Sequence, residues 1–214
     1  MSLAARAMLL ILAVSFCAGA QTRTLAVYSG PASGLDAESN VALQLEVQRL
    51  LAPAGIEVLW KNLTNRKAGE DFDLVVVSSF LGSCSVLELP SVKPDTAGLD
   101  TSLAGTSISN GRILPFLRVD CGRLIQMLSS QLEPLSLRSR QAMLGRALGR
   151  VIGHEIYHIV AQTVEHHDTG VTKASLSARD LTTSRFDFDP WSVARLRPPS
   201  IVRSSVSESG DAGR

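Results

Sequence analysis

Residues 137–163 read LRSRQAMLGRALGRVIGHEIYHIVAQT, a stretch that predicts one long helix. Pro134 stands shortly before it and ends the preceding helical segment. Apolar residues recur at helical spacing through this stretch and predict one buried face: Leu144, Ala147, Leu148 and Val151. The helix is therefore expected to lie against the main core of the domain.

Three glycines repeat every fourth residue on another face of the same helix: Gly145, Gly149 and Gly153. Each costs the helix about 1 kcal/mol relative to alanine, so a packing reason is expected. The spacing predicts that the helix lies tightly against a sheet, with tolerated sequence drift as the alternative. A third stripe is expected to face solvent and consists of Arg146, Arg150 and Tyr157.

All four histidines of the chain lie between residues 154 and 167, and two of them belong to an HExxH motif. His154 and His158 are four residues apart, which places them about 40° apart around a helix axis and on neighbouring turns. Two imidazoles placed in this way can bind one Zn²⁺ ion, whose catalytic sites keep one position open for water. Glu155 lies on the adjoining part of that face, where its carboxylate is expected to act as the general base.

A third metal ligand is expected shortly after the helix. His166 is the preferred candidate and His167 the alternative, because a helix that ends near Thr163 lets the chain turn back towards the metal. Carboxylate ligands remain a further option, at Asp168 or Asp180. The expected set of three ligands is therefore completed by His166.

The pattern HExxH-x7-H-x3-G resembles the zincin metallopeptidases, and within them a metzincin-type or related histidine-ligand branch. It is also similar to small secreted bacterial zincin-like proteins of unassigned activity. The resemblance covers the long helix and about thirty residues around it. It implies an α+β zincin-like fold, zinc ligation by His154, His158 and His166, and a catalytic role for Glu155.

The sequence departs from the metzincin pattern HExxHxxGxxH. Ala161 stands where that pattern has glycine and Val164 where it has histidine, so the turn is expected about two residues later. A metzincin also has a methionine turn beneath the zinc, whereas no methionine follows Met143. The transition-state oxyanion needs a donor besides zinc, for which Arg179 and Arg185 are candidates.

These features favour a secreted zinc-dependent peptidase that hydrolyses a peptide bond with Glu155 as general base. Two alternatives remain open: a non-catalytic zinc-binding protein, and a zinc hydrolase of a non-peptide amide or ester. The expected partner is a peptide or protein substrate. Nucleic acid is not expected, because 21 Lys and Arg stand against 20 Asp and Glu and aromatic residues make up only 5%. The sequence gives no indication of the oligomeric state.

Residues 1–20 have the pattern of a secretory signal peptide, with one positive charge before an apolar run and cleavage expected after Ala20. The run is too short to span a bilayer comfortably, so no stable membrane insertion is expected after cleavage. Cleavage removes Cys17 and leaves Cys84 and Cys121. These two predict a disulfide in an oxidising compartment, either outside the cell or in a periplasm, with buried free thiols as the alternative.

An α/β fold is predicted for residues 21–197, because the chain of 214 residues is 45% hydrophobic and strands alternate with helices. The expected architecture is an N-terminal mixed sheet with packed helices, the long helix and a small C-terminal subdomain. Residues 91–111 predict a long loop, and residues 198–214 are expected to be disordered. Pro115 suggests that the fourth strand lies at a sheet edge. The strands are expected at 25–28, 56–60, 74–77 and 113–119, and the other helices at 36–52 and 122–132.

Overall fold

A computed structural model describes residues 22–30, 32, 34–65, 69–89 and 102–198. The predicted signal peptide at 1–20, most of the predicted tail and the first part of the predicted loop lie outside these ranges. Among the helices of the described ranges, none combines the length and the apolar character needed to cross a membrane.

The described strands form one five-stranded sheet in the order β2-β1-β3-β5-β4. Strands β2, β1, β3 and β5 run parallel to one another, and β4 pairs with β5 in the antiparallel direction. The predicted α/β class with a mixed sheet is therefore confirmed. The strand bounds are Arg23–Ser29 for β1, Ile56–Asn62 for β2, Leu74–Leu81 for β3, Ala104–Ser109 for β4 and Arg112–Asp120 for β5.

Five α-helices accompany this sheet in the described residues. Each is preceded by an N-cap residue whose side chain accepts a hydrogen bond from a backbone amide of the first turn. Asp36 and Asp120 are two of these caps, as the sequence predicts. Short 3-10 turns connect several of the elements. The helix bounds are Ala37–Leu51 for α1, Cys121–Leu132 for α2, Leu137–Ala161 for α3, Ala178–Thr182 for α4 and Pro190–Leu196 for α5.

Strand β4 lies inside the segment that the sequence predicts as a loop, so that prediction is wrong for residues 104–109. A hairpin joins β4 to β5 through Asn110 and Gly111, whose φ angles are 50° and 73°. An Asn-Gly pair favours such two-residue hairpin turns and is the signal that the composition of the segment obscures. The polar strand is held by its pairing with β5 rather than by apolar side chains of its own.

Strand β5 is an inner strand of the sheet, so the edge position suggested by Pro115 is wrong. The pairing of β4 with β5 changes register between Thr106 and Ile108. Thr106 pairs with Leu117 and Ile108 with Ile113, which leaves Pro115 within the irregular part of β5. A residue without an amide hydrogen is tolerated there because no regular pair depends on it.

The glycine stripe of α3 packs against helix α1 rather than against the sheet, which corrects the predicted partner. A Cβ atom on Gly145 would lie 2.2 Å from the main-chain oxygen of Ser39. A Cβ atom on Gly149 would lie 2.9 Å from the main-chain oxygen of Leu43. The two helices therefore approach so closely that only hydrogen fits at these positions.

The third stripe of α3 is largely buried, so the prediction that it faces solvent is wrong for Arg150 and Tyr157. Both side chains are 0% exposed. Arg150 forms an ion pair with Glu46 of α1 at 2.7 Å, which compensates for the loss of water around its charge. The ring of Tyr157 lies 6.1 Å from that of Phe188, in the segment after α3. Residues beyond the long helix thus cover a face that its own sequence marks as polar.

The predicted disulfide between Cys84 and Cys121 is present, with Cα atoms 5.0 Å apart. It joins the segment after β3 to the first residue of α2, and both residues are fully buried. The bridge therefore ties the sheet to the helix that precedes α3.

Breaking this bridge is expected to lower the free energy of unfolding by about 4 kcal/mol, since the bridge closes a loop between residues 37 positions apart in the unfolded chain. Urea unfolding of the wild-type protein with and without reductant measures the effect. The double variant Cys84→Ala, Cys121→Ala is the control, because reductant should no longer change its unfolding midpoint. An unchanged wild-type midpoint after complete reduction contradicts the prediction.

Candidate metal centre

Three imidazoles meet at one point at the C-terminal end of α3. His154 and His158 come from the last two turns of the helix, and His166 comes from the segment that follows it. One nitrogen from each ring lies within 4.8 Å of the others, and the Nε2 atoms of His154 and His158 are 3.0 Å apart. The structure therefore brings together the three histidines that the sequence selects as metal ligands.

The end of α3 explains how His166 reaches this point. Gln162 has a left-handed backbone, with φ 49° and ψ 46°, and its amide still bonds to the carbonyl of His158. Its side-chain amide donates to the carbonyls of Ile159 and Ile113, at 2.7 and 3.1 Å. These bonds hold a conformation that non-glycine residues rarely adopt, and they reverse the chain just after the helix. The sequence predicts the turn near Thr163, whereas the left-handed residue is Gln162, which no local signal marks.

Main-chain carbonyls orient both helical imidazoles. The carbonyl oxygen of Val171 lies 2.7 Å from His154 Nδ1, and that of Thr163 lies 2.7 Å from His158 Nδ1. Because a carbonyl only accepts, each Nδ1 carries the hydrogen and each Nε2 keeps a lone pair. Two lone pairs 3.0 Å apart repel each other unless a cation lies between them. The donor set therefore fits a metal ion.

Burial keeps the helical imidazoles neutral at physiological pH. Desolvation lowers the pKa of His154 to about 4, and the neighbouring rings of His158 and His166 lower it further against the opposing effect of the Val171 carbonyl. Desolvation also lowers the pKa of His158, assisted by His166. Neutral imidazole is the form that binds metal ions.

The stability of the metal-free protein should depend on the protonation of His154. An unfolded histidine titrates near 6.5, so between about pH 6.5 and 4 the unfolded chain binds more protons at this residue and stability falls as the pH falls. Between pH 6.5 and pH 5, the free energy of unfolding of His154→Gln should fall by about 1–2 kcal/mol less than that of the wild type. Urea unfolding in the presence of a chelator measures the free energy of unfolding of the wild type and of the variant at each pH. Protonation of Glu155 changes the free energy of unfolding with the opposite sign, and it does so in both proteins. The difference between their losses therefore isolates His154. Equal losses in the two proteins contradict the prediction.

Glu155 points its carboxylate into a buried environment beside the imidazoles. The residue is 6% exposed, and desolvation raises its pKa to about 7, although a hydrogen bond from the backbone of Thr106 in β4 favours the charged form. His154 and Glu155 together line a cleft of about 360 Å³ between β4, α3 and residues 173–176. A carboxylate with a pKa near neutrality can both accept and return a proton.

The cleft has a mixed lining. Its apolar part includes Leu103, Met127 and Leu176, and its polar part includes Ser102, Ser175 and Lys173. The amino group of Lys173 lies 2.8 Å from the carboxylate of Asp180 and is held by that ion pair. The cleft thus offers both apolar and polar groups next to His154 and Glu155.

His167 lies outside the imidazole cluster. Its ring stacks on Trp191 with centroids 5.1 Å apart, and its Nδ1 lies 3.1 Å from the carboxylate of Asp189. The structure groups His166, rather than its neighbour, with the two helical histidines.

The carboxylate alternatives are also outside the cluster. Asp180 completes a capping box with Ser177 at the start of α4 and binds Lys173, and Asp168 is exposed. Neither of the arginines considered for the oxyanion lines the cleft: Arg179 is exposed, and Arg185 binds the carboxylate of Asp187 at 2.7 Å. Neither arginine therefore lies where the sequence analysis expects an oxyanion donor.

The two adjacent histidines should respond differently to substitution. If His166 is a zinc ligand as the sequence predicts, His166→Ala is expected to weaken zinc binding by more than about 100-fold, since outer-shell changes alone cost about 10–100-fold. His167→Ala is the matched control and should change the affinity less than about 3-fold, since its partners are Trp191 and Asp189. Competition with a chromophoric chelator measures the zinc dissociation constants of both variants and of the wild type. A larger loss in the His167 variant assigns the ligand to that residue instead.

Comparisons with protein-family models, with curated proteins and with solved structures gave no match to this chain. The chemistry that the site can perform therefore follows from its donor set. That set consists of three convergent imidazole nitrogens and the buried carboxylate of Glu155, and a cleft is lined by His154 and Glu155.

Proposed function

We propose that this protein is a secreted zinc-dependent peptidase with a zincin-like active site. The observation that carries the proposal is the convergence of His154, His158 and His166 beside the buried carboxylate of Glu155. A site that only stores or structurally binds zinc has no use for a free carboxylate next to the ligands. The cleft beside Glu155 gives a substrate access to both groups.

Zinc is the ion that best suits these donors. Catalytic zinc sites use three protein ligands and leave a fourth position open, and neutral imidazole is a preferred ligand. Two nitrogens at about 2.0–2.1 Å from one tetrahedral ion lie about 3.3–3.4 Å apart. The 3.0 Å separation of the helical Nε2 atoms is close to that value. The three histidines would hold the ion, with the carbonyls of Val171 and Thr163 fixing two of the rings.

When bound, the ion supplies Lewis-acid polarisation of the scissile carbonyl and of the attacking water. Glu155 accepts the proton of that water at its carboxylate while the water oxygen attacks the carbonyl carbon. The same carboxyl group then delivers the proton to the nitrogen of the leaving amine as the carbon–nitrogen bond breaks. Burial that raises the pKa of Glu155 to about 7 suits both directions of transfer.

A peptide is the substrate class that the surroundings of Glu155 favour. Strand β4 is an edge strand of the sheet formed by the described residues, and the backbone of its Thr106 donates a hydrogen bond to Glu155. An extended peptide can add to such an edge through main-chain hydrogen bonds and place one side chain in the neighbouring cleft. A strand edge recognises any peptide backbone, whereas it offers nothing specific to an isolated ester.

Secretion is part of the proposal. The pattern of residues 1–20 favours export with cleavage after Ala20. The disulfide between Cys84 and Cys121 is consistent with an oxidising location outside the cytosol. The protein would therefore act outside the cell or in a periplasm, where zinc sites need no protection from cytosolic thiols.

Cleavage of a peptide library by the zinc-loaded mature protein tests this proposal. Mass spectrometry should find new termini, a chelator should abolish their formation, and added zinc should restore it. The double variant His154→Ala, His158→Ala is the control for contaminating peptidases. One zinc ion per chain with no cleavage at any site overturns the peptidase proposal in favour of a zinc-binding protein. Failure to bind zinc overturns the metal site itself.

A further inference from the structure

A buried carboxylate on α1 lies between two arginines from different helices. Glu46 is 6% exposed, and its Oε1 accepts from Arg150 Nε at 2.7 Å and from Arg49 Nη2 at 2.9 Å. Its Oε2 accepts from Arg49 Nε at 2.9 Å. Both oxygens are thus occupied by charged donors, which are the strongest hydrogen-bond partners for a carboxylate.

The close approach of α1 and α3 places this carboxylate where it is. A Cβ atom on Gly149 would lie 2.7 Å from Glu46 Cβ, so only glycine at this position lets Glu46 reach across to Arg150. Arg150 precedes His154 by one helical turn on α3. The ion pair therefore involves the residue one helical turn before His154.

The two arginines extend this contact to the segment after α3. Arg150 Nη1 donates to the carbonyl of Asp180 at 2.8 Å. Arg49 forms an ion pair with the carboxylate of Asp187 and donates to the carbonyl of Phe186 at 2.8 Å. Residues 180–187 are therefore anchored to α1 and α3 through groups that converge on Glu46.

This anchored segment in turn holds the main chain that orients a metal ligand. The carbonyl of Asp187 accepts from the amide of Val171 at 3.0 Å, and the carbonyl of Val171 lies 2.7 Å from His154 Nδ1. Gly170 permits this contact, because it has a φ of +69° and a Cβ atom there would lie 2.5 Å from the oxygen of Asp187. Hydrogen bonds, joined by the covalent frames of Arg49, Asp187 and Val171, thus connect Glu46 to the imidazole of His154.

We propose that Glu46 is a positioning residue for His154, acting through Arg49, Asp187 and Val171 to set the direction of the imidazole. The inference rests on the proposed function in that His154 is a metal ligand. It adds a residue that is distant in sequence and that touches neither the cluster nor the cleft. Outer-shell partners of this kind tune the affinity of a metal site because they fix the orientation of its ligands.

Glu46→Gln is the first test, since it keeps the shape of the side chain and removes its charge. The expected result is zinc affinity about 10–100-fold weaker than in the wild type, measured by competition with a chelator on folded protein. Leu43→Ala is the matched control, because Leu43 is 1% exposed on the same helix and touches neither arginine through a hydrogen bond. It should lower stability while leaving zinc affinity within about 3-fold of the wild type.

Arg49→Gln keeps the test decisive if Glu46→Gln does not fold. Arg49 is 37% exposed, so its loss is tolerated more easily than an unpaired Arg150 in the interior. We expect at least about 10-fold weaker zinc binding, since the link from Glu46 to Asp187 and Phe186 is lost.

A second readout does not depend on metal or on peptide cleavage. The Nδ1 hydrogen of His154 should exchange slowly in the NMR spectrum of the wild type and of Leu43→Ala, and faster in the Glu46 and Arg49 variants. Zinc affinities equal to that of Leu43→Ala, together with unchanged exchange of this hydrogen, overturn the proposal. If the wild type binds zinc but cleaves no peptide, only the peptidase proposal fails. If the wild type binds no zinc, exchange of the Nδ1 hydrogen alone tests the positioning role of Glu46: faster exchange in the Glu46 and Arg49 variants supports it, and unchanged exchange overturns it.

Discussion

Glu155→Gln should abolish peptide hydrolysis while zinc stays bound. The amide of glutamine cannot accept the proton of the attacking water, and general-base catalysis contributes about 10²–10⁴-fold to rate. We therefore expect kcat/KM to fall by at least about 100-fold. A fluorogenic peptide chosen from the library measures this loss, and metal analysis should still find one zinc ion per chain, because His154, His158 and His166 are unchanged.

Glu165→Gln is the control for this variant. Glu165 precedes His166 and is exposed. Its replacement by glutamine makes the same chemical change near the site and leaves the buried carboxylate of Glu155 intact. Its activity should stay within about 3-fold of the wild type, as surface substitutions usually do. Activity retained by the Glu155 variant contradicts the assignment of Glu155 as the base.

Gly145→Ala should strongly destabilise the fold. The new Cβ atom would lie 2.2 Å from the main-chain oxygen of Ser39 and 2.7 Å from the Cβ of Ala42. Neither atom belongs to a flexible side-chain end, so the two helices must separate. We expect the free energy of unfolding to fall by about 3 kcal/mol or more, measured as a lower midpoint in urea.

Two other glycines provide graded controls. Gly153→Ala meets mainly Leu50 Cδ1 at 2.8 Å, a side-chain end that can move, and should cost less than Gly145→Ala. At Gly105 nothing lies within 4 Å of an added Cβ, so alanine there should stay within about 0.5 kcal/mol of the wild type. A Gly145 variant as stable as the Gly105 variant contradicts the packing described for α1 and α3.

Local patterns in the sequence predict much of this fold. Spacing of apolar residues identifies α3 to within two residues at its C-terminal end, and Asp36 and Asp120 mark the starts of α1 and α2. The strands predicted at 25–28, 56–60, 74–77 and 113–119 all lie within observed strands. The convergence of His154 and His158 was predictable because a four-residue spacing on a helix fixes the direction of two side chains without reference to the rest of the chain.

Features that depend on distant partners were not predictable in the same way. Arg150 reads as a solvent-exposed residue on its helix, and only an ion pair with Glu46, over a hundred positions away, makes its burial possible. Strand β4 is polar and exists because β5 pairs with it. His166, rather than His167, lies in the cluster, after a left-handed turn at Gln162 that is supported by a side-chain hydrogen bond to the distant Ile113.

The carbonyls of Val171 and Thr163 have a consequence for how the protein matures. They belong to residues 163–171, so the orientation of the His154 and His158 rings is fixed once the chain has folded. Rings already aimed at a common point lose little further freedom when an ion arrives. We therefore expect the folded protein to bind its proposed ion without further rearrangement of these two rings.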